Sequence, residues 1–250
     1  MNFGKSDCCE DLASLSPIEL ALLEHVASVR LTTSDVWDHA SPLAGHTRQE
    51  IGAAVRSLVR AKLLLAGSLY HGRHYFVLSG LAAQLLKVPT GASGLLSEPR
   101  KLKAYARQQL VCIARQDLQL LSTSVGGPHH PASGGSLDGF AIRGTTNDNL
   151  AFIRVDASFA SRPSRSAQTI RNDILRFAKI PSIATHMRAQ CFEYVWITMT
   201  QSRAEAVEVH FRKYHRVGKS PITFVVMPQL LPLVVSTEIG KEDFIRTKLS

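Results

Sequence analysis

Two aspartates stand where this sequence could do chemistry. Asp138 follows a Gly/Pro/Ser-rich stretch in Leu137-Asp138-Gly139-Phe140, and Asp156 ends the run Phe152-Ile153-Arg154-Val155-Asp156. Carboxylates at adjacent strand ends can converge on one hard cation such as Mg2+, which activates water or stabilises a leaving oxygen. Arg154 stands two residues before Asp156, where such a site wants a further acid. A fixed guanidinium there opposes metal binding. Asp138 and Asp156 could still hold a weak cation with help from Glu193, or cap a turn and pair with Arg154. No cofactor and no metal are expected, except a weakly held Mg2+ if the chain is an enzyme.

Other chemical candidates are sparse. His129 and His130 are adjacent in a Gly/Pro-rich loop, but no third zinc ligand is evident. Cys8, Cys9, Cys112 and Cys191 form no Cys-x-x-Cys pair and no disulfide framework, which suits reduced thiols inside a cell. Walker, Gly-x-Ser-x-Gly and dinucleotide fingerprints are absent from the sequence.

Binding has the stronger signal. Thr47-Arg48-Gln49-Glu50 reads as a capping box that opens a helix. Its inner face holds Ile51, Val55, Leu58 and Val59; its outer face holds Arg48, Gln49, Gly52, Ala53, Arg56 and Arg60. Two short alternating strands follow, joined at His71-Gly72-Arg73-His74. Upstream, Ser16-Pro17-Ile18-Glu19 starts a first helix, and residues 34–40 predict a second, stopped by Ser41-Pro42. A fourth helix is expected over 80–87. This is the order of a winged helix-turn-helix: the third helix reads a major groove and the basic hairpin touches phosphate or the minor groove. Lys and Arg number 29 against 20 Asp and Glu, a formal charge of +9, which favours a polyanionic partner.

The remaining elements must position the two aspartates. Residues 1–15 are expected to be a flexible N-terminus, 16–88 the winged helix, 89–100 a linker and 101–250 an α/β domain. Within the last, 101–121 reads as one long amphipathic helix, a dimer helix or an internal strut. Strands are expected at FAIRG, LAFIRVD, FEYVWITMT and ITFVVM, and helices over 166–178 and 202–215, the latter capped by Ser202 with Glu205. Strand, helix, strand, helix, strand implies an α/β layer. Arg162, Arg165, Arg171 and Arg176 form a second basic group, with residues 161–166 as an exposed loop. Arg212 and Lys213, near His210, Tyr214, His215 and Arg216, form a third; all suit backbone phosphate contact.

With these motifs the chain resembles the replication-relaxation family of plasmids and conjugative elements, which includes a class of mobilisation relaxases. The resemblance implies an N-terminal winged helix and a restriction-endonuclease-like second domain. That domain would show a Pro-Asp-Gly turn, a Glu-x-Asp strand, and a helix with Lys and Tyr. Here Leu137 replaces the Pro, Arg154 replaces the Glu, Arg171 or Asn172 stands near the Lys, and Phe177 near the Tyr. The site is therefore expected to be degenerate.

The resulting expectation is a non-catalytic, sequence-specific binder of double-stranded DNA, a regulator or accessory factor of a plasmid or mobile element. A Mg2+-dependent nickase and an adaptor for a protein machine are the alternatives. A homodimer or a DNA-processing complex are the expected protein partners. No apolar run approaches the roughly 20 residues that span a bilayer, and no signal-peptide core is visible, so a cytoplasmic bacterial protein without a membrane partner is expected.

Overall fold

The computed structural model describes residues 14–69, 72–88, 93–121, 139–143, 149–156, 161–214 and 221–235. His71, His129, His130, Asp138, His215 and Arg216 lie outside the described residues.

The first helix, α1 (Pro17–Val29), opens on its expected capping box, with the Ser16 amide and hydroxyl donating to Glu19 at 2.9 and 2.8 Å. The expected second helix does not form. Two separate tight turns replace it, Trp37–His39 and Ser41–Leu43, with extended Ala40 between them. Pro42 explains the break: it has no amide to donate, and its ring would strike the carbonyl one turn back in a continuous helix. Next come α2 (Arg48–Arg60), the antiparallel hairpin of β1 (Leu64–Ser68) and β2 (His74–Leu78), and α3 (Gly80–Leu85). An isolated pairing of Thr32 with Phe76 adds a short third line to the hairpin.

The expected helix over 101–121 is also corrected. The helix α4 (Glu98–Gln109) starts earlier, loosens into a wide turn at Leu110–Ala114, and gives way to β3 (Leu118–Leu120). Leu118 and Leu120 are buried and Gln119 exposed, a strand's period of two, and all three pair with β4 (Phe140–Arg143).

The main sheet has five strands in the order β3-β4-β5-β6-β7, with β5 (Leu150–Val155), β6 (Phe192–Thr198) and β7 (Ile222–Val226). Its first three strands are antiparallel and its last three parallel. The parallel connections run through α5 (Pro163–Phe177) with α6 (Pro181–Arg188), and through α7 (Gln201–Tyr214). The first turn of α5 takes in Pro163 to Ser166, part of the expected loop. The Arg203 amide donates to Thr200 Oγ1 at 3.3 Å, so Thr200 and not Ser202 caps α7. A short α8 (Leu231–Val235) follows β7. Thus the chain is α+β: helices around a mixed five-stranded sheet, plus a small antiparallel sheet.

Strand alternation sends side chains to two cores. Phe152, Tyr194 and Trp196 point to Ile170, Ile174 and Phe177 of α5 and Val207 and Phe211 of α7. Ile153, Val155, Val195 and Ile197 point to Leu102, Tyr105, Ala106 and Leu110 around α4. That second core continues into the N-terminal part through Val29, Leu31, Leu69, Tyr75 and Val77. A third core, with Leu22, Val26, Trp37, Ile51, Val55 and Leu58, holds α1 and α2 together. Gly67 is required here: a Cβ would stand 2.4 Å from the ring of Tyr75, which crosses it from the paired strand.

His25 lies inside α1, only 3% exposed, with Nε2 lacking a partner among the described residues. Burial pulls its pKa from the usual 6.5 down to about 4. The folded state therefore holds His25 neutral, and the unfolded chain binds the proton more readily. Stability from this group is complete above about pH 6.5 and falls as the pH drops toward 4, by roughly 3 kcal/mol at most. Urea midpoints measured from pH 7 to pH 4 should fall steeply for wild type and less steeply for His25→Leu. Equal slopes would show that His25 does not drive the acid sensitivity.

Candidate nucleic-acid interface

The helix α2 is amphipathic in the strict sense. Thr47 Oγ1 accepts from the Glu50 amide at 3.3 Å, and Glu50 accepts from the Thr47 amide at 2.7 Å, which orients the first turn. Ile51, Ala54, Val55 and Leu58 are buried. Arg48, Gln49, Ala53, Arg56 and Arg60 are all exposed. Arg48 donates to Asp38 at 2.6 Å, which ties it to the turn beneath the helix. Arg56 and Arg60 have no carboxylate partner among the described residues.

Gly52 is half-buried, and a Cβ there would meet Arg56 Nη1 at 3.5 Å and Trp37 Cζ3 at 3.9 Å. Both are ordinary van der Waals distances, so the packing around position 52 would accept a methyl group. Trp37 itself is buried, and its Nε1 has no partner among the described residues.

At the hairpin, Gly72 has φ +75°, a left-handed conformation that turns the chain at little cost only with glycine. Arg73 and His74 are exposed. Arg73 Nη1 lies 3.6 Å from Asp35 Oδ2. Asp35 is held in turn from α4, where the Tyr105 hydroxyl donates to it at 2.7 Å and Gln109 Nε2 at 3.0 Å. Asp35, Tyr105 and Gln109 carry no motif, so the sequence offered no sign of them.

The candidate catalytic residues are distributed differently from expectation. Asp156 does not pair with Arg154. It is buried and bound by Arg203 Nε at 3.0 Å, and the same guanidinium donates to the hydroxyls of Ser161 and Ser166, each at 2.7 Å. Arg154 instead donates to Asp173 Oδ2 at 2.8 Å, and the Tyr194 hydroxyl donates to the same oxygen at 2.8 Å. Burial, and then the charge of Asp173, push the Tyr194 phenol well above its ordinary pKa. The reason for the exchange lies in the crossovers. Both α5 and α7 begin at the strand end where Asp156 sits, so Arg203 reaches it, while Arg154 faces the body of α5.

Glu193 cannot assist Asp156. The Asp156 amide donates to Ile197 O at 2.8 Å, so Glu193 lies four residues back along β6, about 13 Å away. There it joins Arg115 at 3.1 Å, Arg143 at 2.9 Å and Thr223 at 2.6 Å. Burial works upward on its carboxyl, yet the bonds from Arg115 and Thr223 hold it below the usual range. Asp117, chelated by Arg115 and then reached by Arg143, is pulled down to about 2. Among the described residues no three His, Cys, Asp or Glu side chains are placed to hold a metal ion. Cys112 is buried, which pushes its thiol up to about 12.

Phe177 is a core side chain, 4.6 Å from the Phe152 ring centroid. Asn172 is exposed and accepts from Gln168 at 2.7 Å, and Arg171 is half-buried. Arg162 and Arg165 are exposed, as are Arg212 and Lys213; Arg212 donates to Glu208, and Lys213 lies 5.1 Å from the Tyr214 ring centroid. Comparison with protein-family models, curated proteins and solved structures finds no match. No helix among the described residues is long and apolar enough to cross a membrane.

The buried pair of Asp156 and Arg203 generates a stability prediction. Removing one partner strands the other charge in the interior, which costs about 3 kcal/mol or more. Asp156→Ala should lower the urea unfolding free energy by that amount, and Arg154→Ala by less, since buried Asp173 would keep Arg176 at 3.3 Å and the Tyr194 hydroxyl at 2.8 Å. A loss below about 1 kcal/mol for Asp156→Ala would mean that the pair contributes no more than a surface contact.

Proposed function

We propose that the protein binds double-stranded DNA sequence-specifically, with α2 in the major groove and the β1–β2 hairpin against the phosphates. One observation carries this reading. The helix α2 buries one face completely and presents Arg48, Gln49, Ala53, Arg56 and Arg60 to solvent on the other. Paired donors and acceptors on Arg and Gln suit guanine and adenine edges, and small Ala53 allows close approach. A hairpin with an exposed arginine follows α2 directly. The order α1, paired Thr32, α2, β1, β2 supports a winged-helix arrangement in which two tight turns stand for the second helix.

The second half is proposed to be nuclease-like in architecture and non-catalytic. The order α4, antiparallel β3-β4-β5, crossover α5, parallel β6 supports that architecture and the resemblance to the replication-relaxation family. Against catalysis stand the contacts: Arg203 occupies Asp156, and Arg154 places a guanidinium two residues from it. A regulator or accessory factor acting on plasmid or mobile-element DNA in a bacterial cytoplasm fits both halves.

Mutation of the reading face tests the proposal. Arg56→Ala should weaken binding to a footprinted site by about 1–3 kcal/mol and relax the preference at one base position, with the fold intact. Equal affinity and equal preference would remove α2 from the groove.

The hairpin generates a second measurement. Arg73→Ala should weaken binding to all sequences alike and reduce the log–log salt slope by about one. Asp35→Asn should act oppositely, because it removes a negative charge 3.6 Å from that guanidinium. A loss confined to the specific site, with the salt slope unchanged, would mean that the hairpin reads bases.

A further inference from the structure

The sheet separates two basic surfaces. On one side stand α4 and the N-terminal part with α2; on the other stand α5 and α7. Sheet and α4 together place roughly 20 Å of packed protein between them, at about 10 Å per layer. The N-terminal part that carries α2 thus joins the molecule on the α4 side of the sheet, opposite the α5–α7 face.

That face carries Arg162, Arg165, Arg176, Lys179, Arg212 and Lys213, all exposed. The two helices run in the same direction, since each returns from the far end of one parallel strand to the start of the next. Their leading ends are locked together by Arg203, which donates to Ser161 and Ser166. The cations consequently form two groups at opposite ends of one rigid layer. Arg162 and Arg165 stand at one end, and the other four at the other. With 15 residues in α5, the groups are about 20 Å apart.

Internal pairing accounts for part of the second group, because Arg176 lies 3.3 Å from Asp173 and Arg212 binds Glu208. It does not account for the first. Arg162 and Arg165 have no carboxylate partner among the described residues, and the first turn of α5 contains no acid. The helix dipole disfavours cations at that end, so helix stability does not explain them either. Two groups of cations about 20 Å apart suit an extended polyanion. A small anion would occupy one end, whereas a duplex presents a charge every 1.7 Å or so of its axis and meets both.

We propose that the α5–α7 face binds a second DNA duplex through its phosphates, so that one chain bridges two DNA segments across its sheet. The inference rests on the reading of α2 as the first DNA-binding surface. The second surface recognises charge and not sequence, since its reach is to backbone oxygens.

The test is capture of a fluorescent duplex by an immobilised duplex carrying the target site, with the full chain added at low salt. Wild type should capture. The double variant Arg162→Glu, Arg165→Glu should bind the immobilised site within about twofold of wild type and lose capture by about tenfold or more. Glutamate suits that end of α5, so the variant should fold, and thermal melting checks this. A second pair, Arg56→Glu with Arg60→Glu, should lose site preference yet keep salt-sensitive binding to any duplex.

Capture that survives in the Arg162/Arg165 variant would overturn the inference, because bridging would then come from dimerisation through two reading helices. Wild type that binds one duplex and never captures another would overturn it and leave the α2 reading standing. Binding lost in the Arg162/Arg165 variant but intact in the Arg56/Arg60 variant would remove the α2 reading and keep the α5–α7 surface. If wild type binds no duplex at all, both fall.

Discussion

Burial of α4 on nearly every side is the constraint on which the rest of the molecule depends. Leu102, Tyr105, Ala106 and Leu110 pack in the core that joins the sheet to the hairpin. Its polar side chains act as pegs to the N-terminal part. Lys101 Nζ donates to Ser68 O at 3.0 Å, and Gln108 exchanges bonds with Thr32 and Thr33, both at 3.2 Å. Tyr105 and Gln109 hold Asp35, and Asp35 stands beside Arg73. Each such bond contributes only about 1 kcal/mol net, but an unpaired buried partner would cost more, so the set defines one docking geometry. The hairpin and the turns before α2 are thereby docked on α4.

At the strand ends the charged side chains are engaged in structural contacts. Asp156 lies at the carboxyl end of β5, where parallel α/β units commonly place ligands. Arg203 reaches it from the first turn of α7 and also joins Ser161 and Ser166 near the start of α5. The carboxylate thus fastens two crossover helices to the sheet. Arg154 performs a similar service one turn of the pleat away, binding Asp173 in the body of α5. By contrast, Arg56 and Arg60 of α2 and Arg162 and Arg165 at the start of α5 are exposed and have no carboxylate partner among the described residues.

Local grammar made much of the fold legible. The capping boxes at Ser16–Glu19 and Thr47–Glu50, the two-residue alternation of β2, and the apolar runs of β5, β6 and β7 are short-range signals, and the corresponding elements form. The outward face of α2 was equally readable, because helical period alone separates Ile51, Val55 and Leu58 from Arg56 and Arg60. The two errors have different causes. Residues 101–121 have helical spacing throughout, yet Leu118-Gln119-Leu120 joins the sheet because β4 offers unpaired backbone groups. Tertiary pairing overrides propensity where an edge must be satisfied. Residues 34–40 failed as a helix for a local reason, Pro42, whose effect reaches back a full turn.

What the sequence determined by itself is therefore most of the helices and strands and the charge of their faces, since both follow from spacing within a few residues. Only the tertiary structure decided which charges cancel. Arg203 lies 47 residues from Asp156, and Asp35 lies 70 residues from Tyr105; no periodicity links such positions. Ion pairing depends on distance in space, and that distance is set by how the crossover helices and α4 pack. The same residue types, arginine and aspartate, consequently become structural at the end of β5 and remain open to solvent along α2.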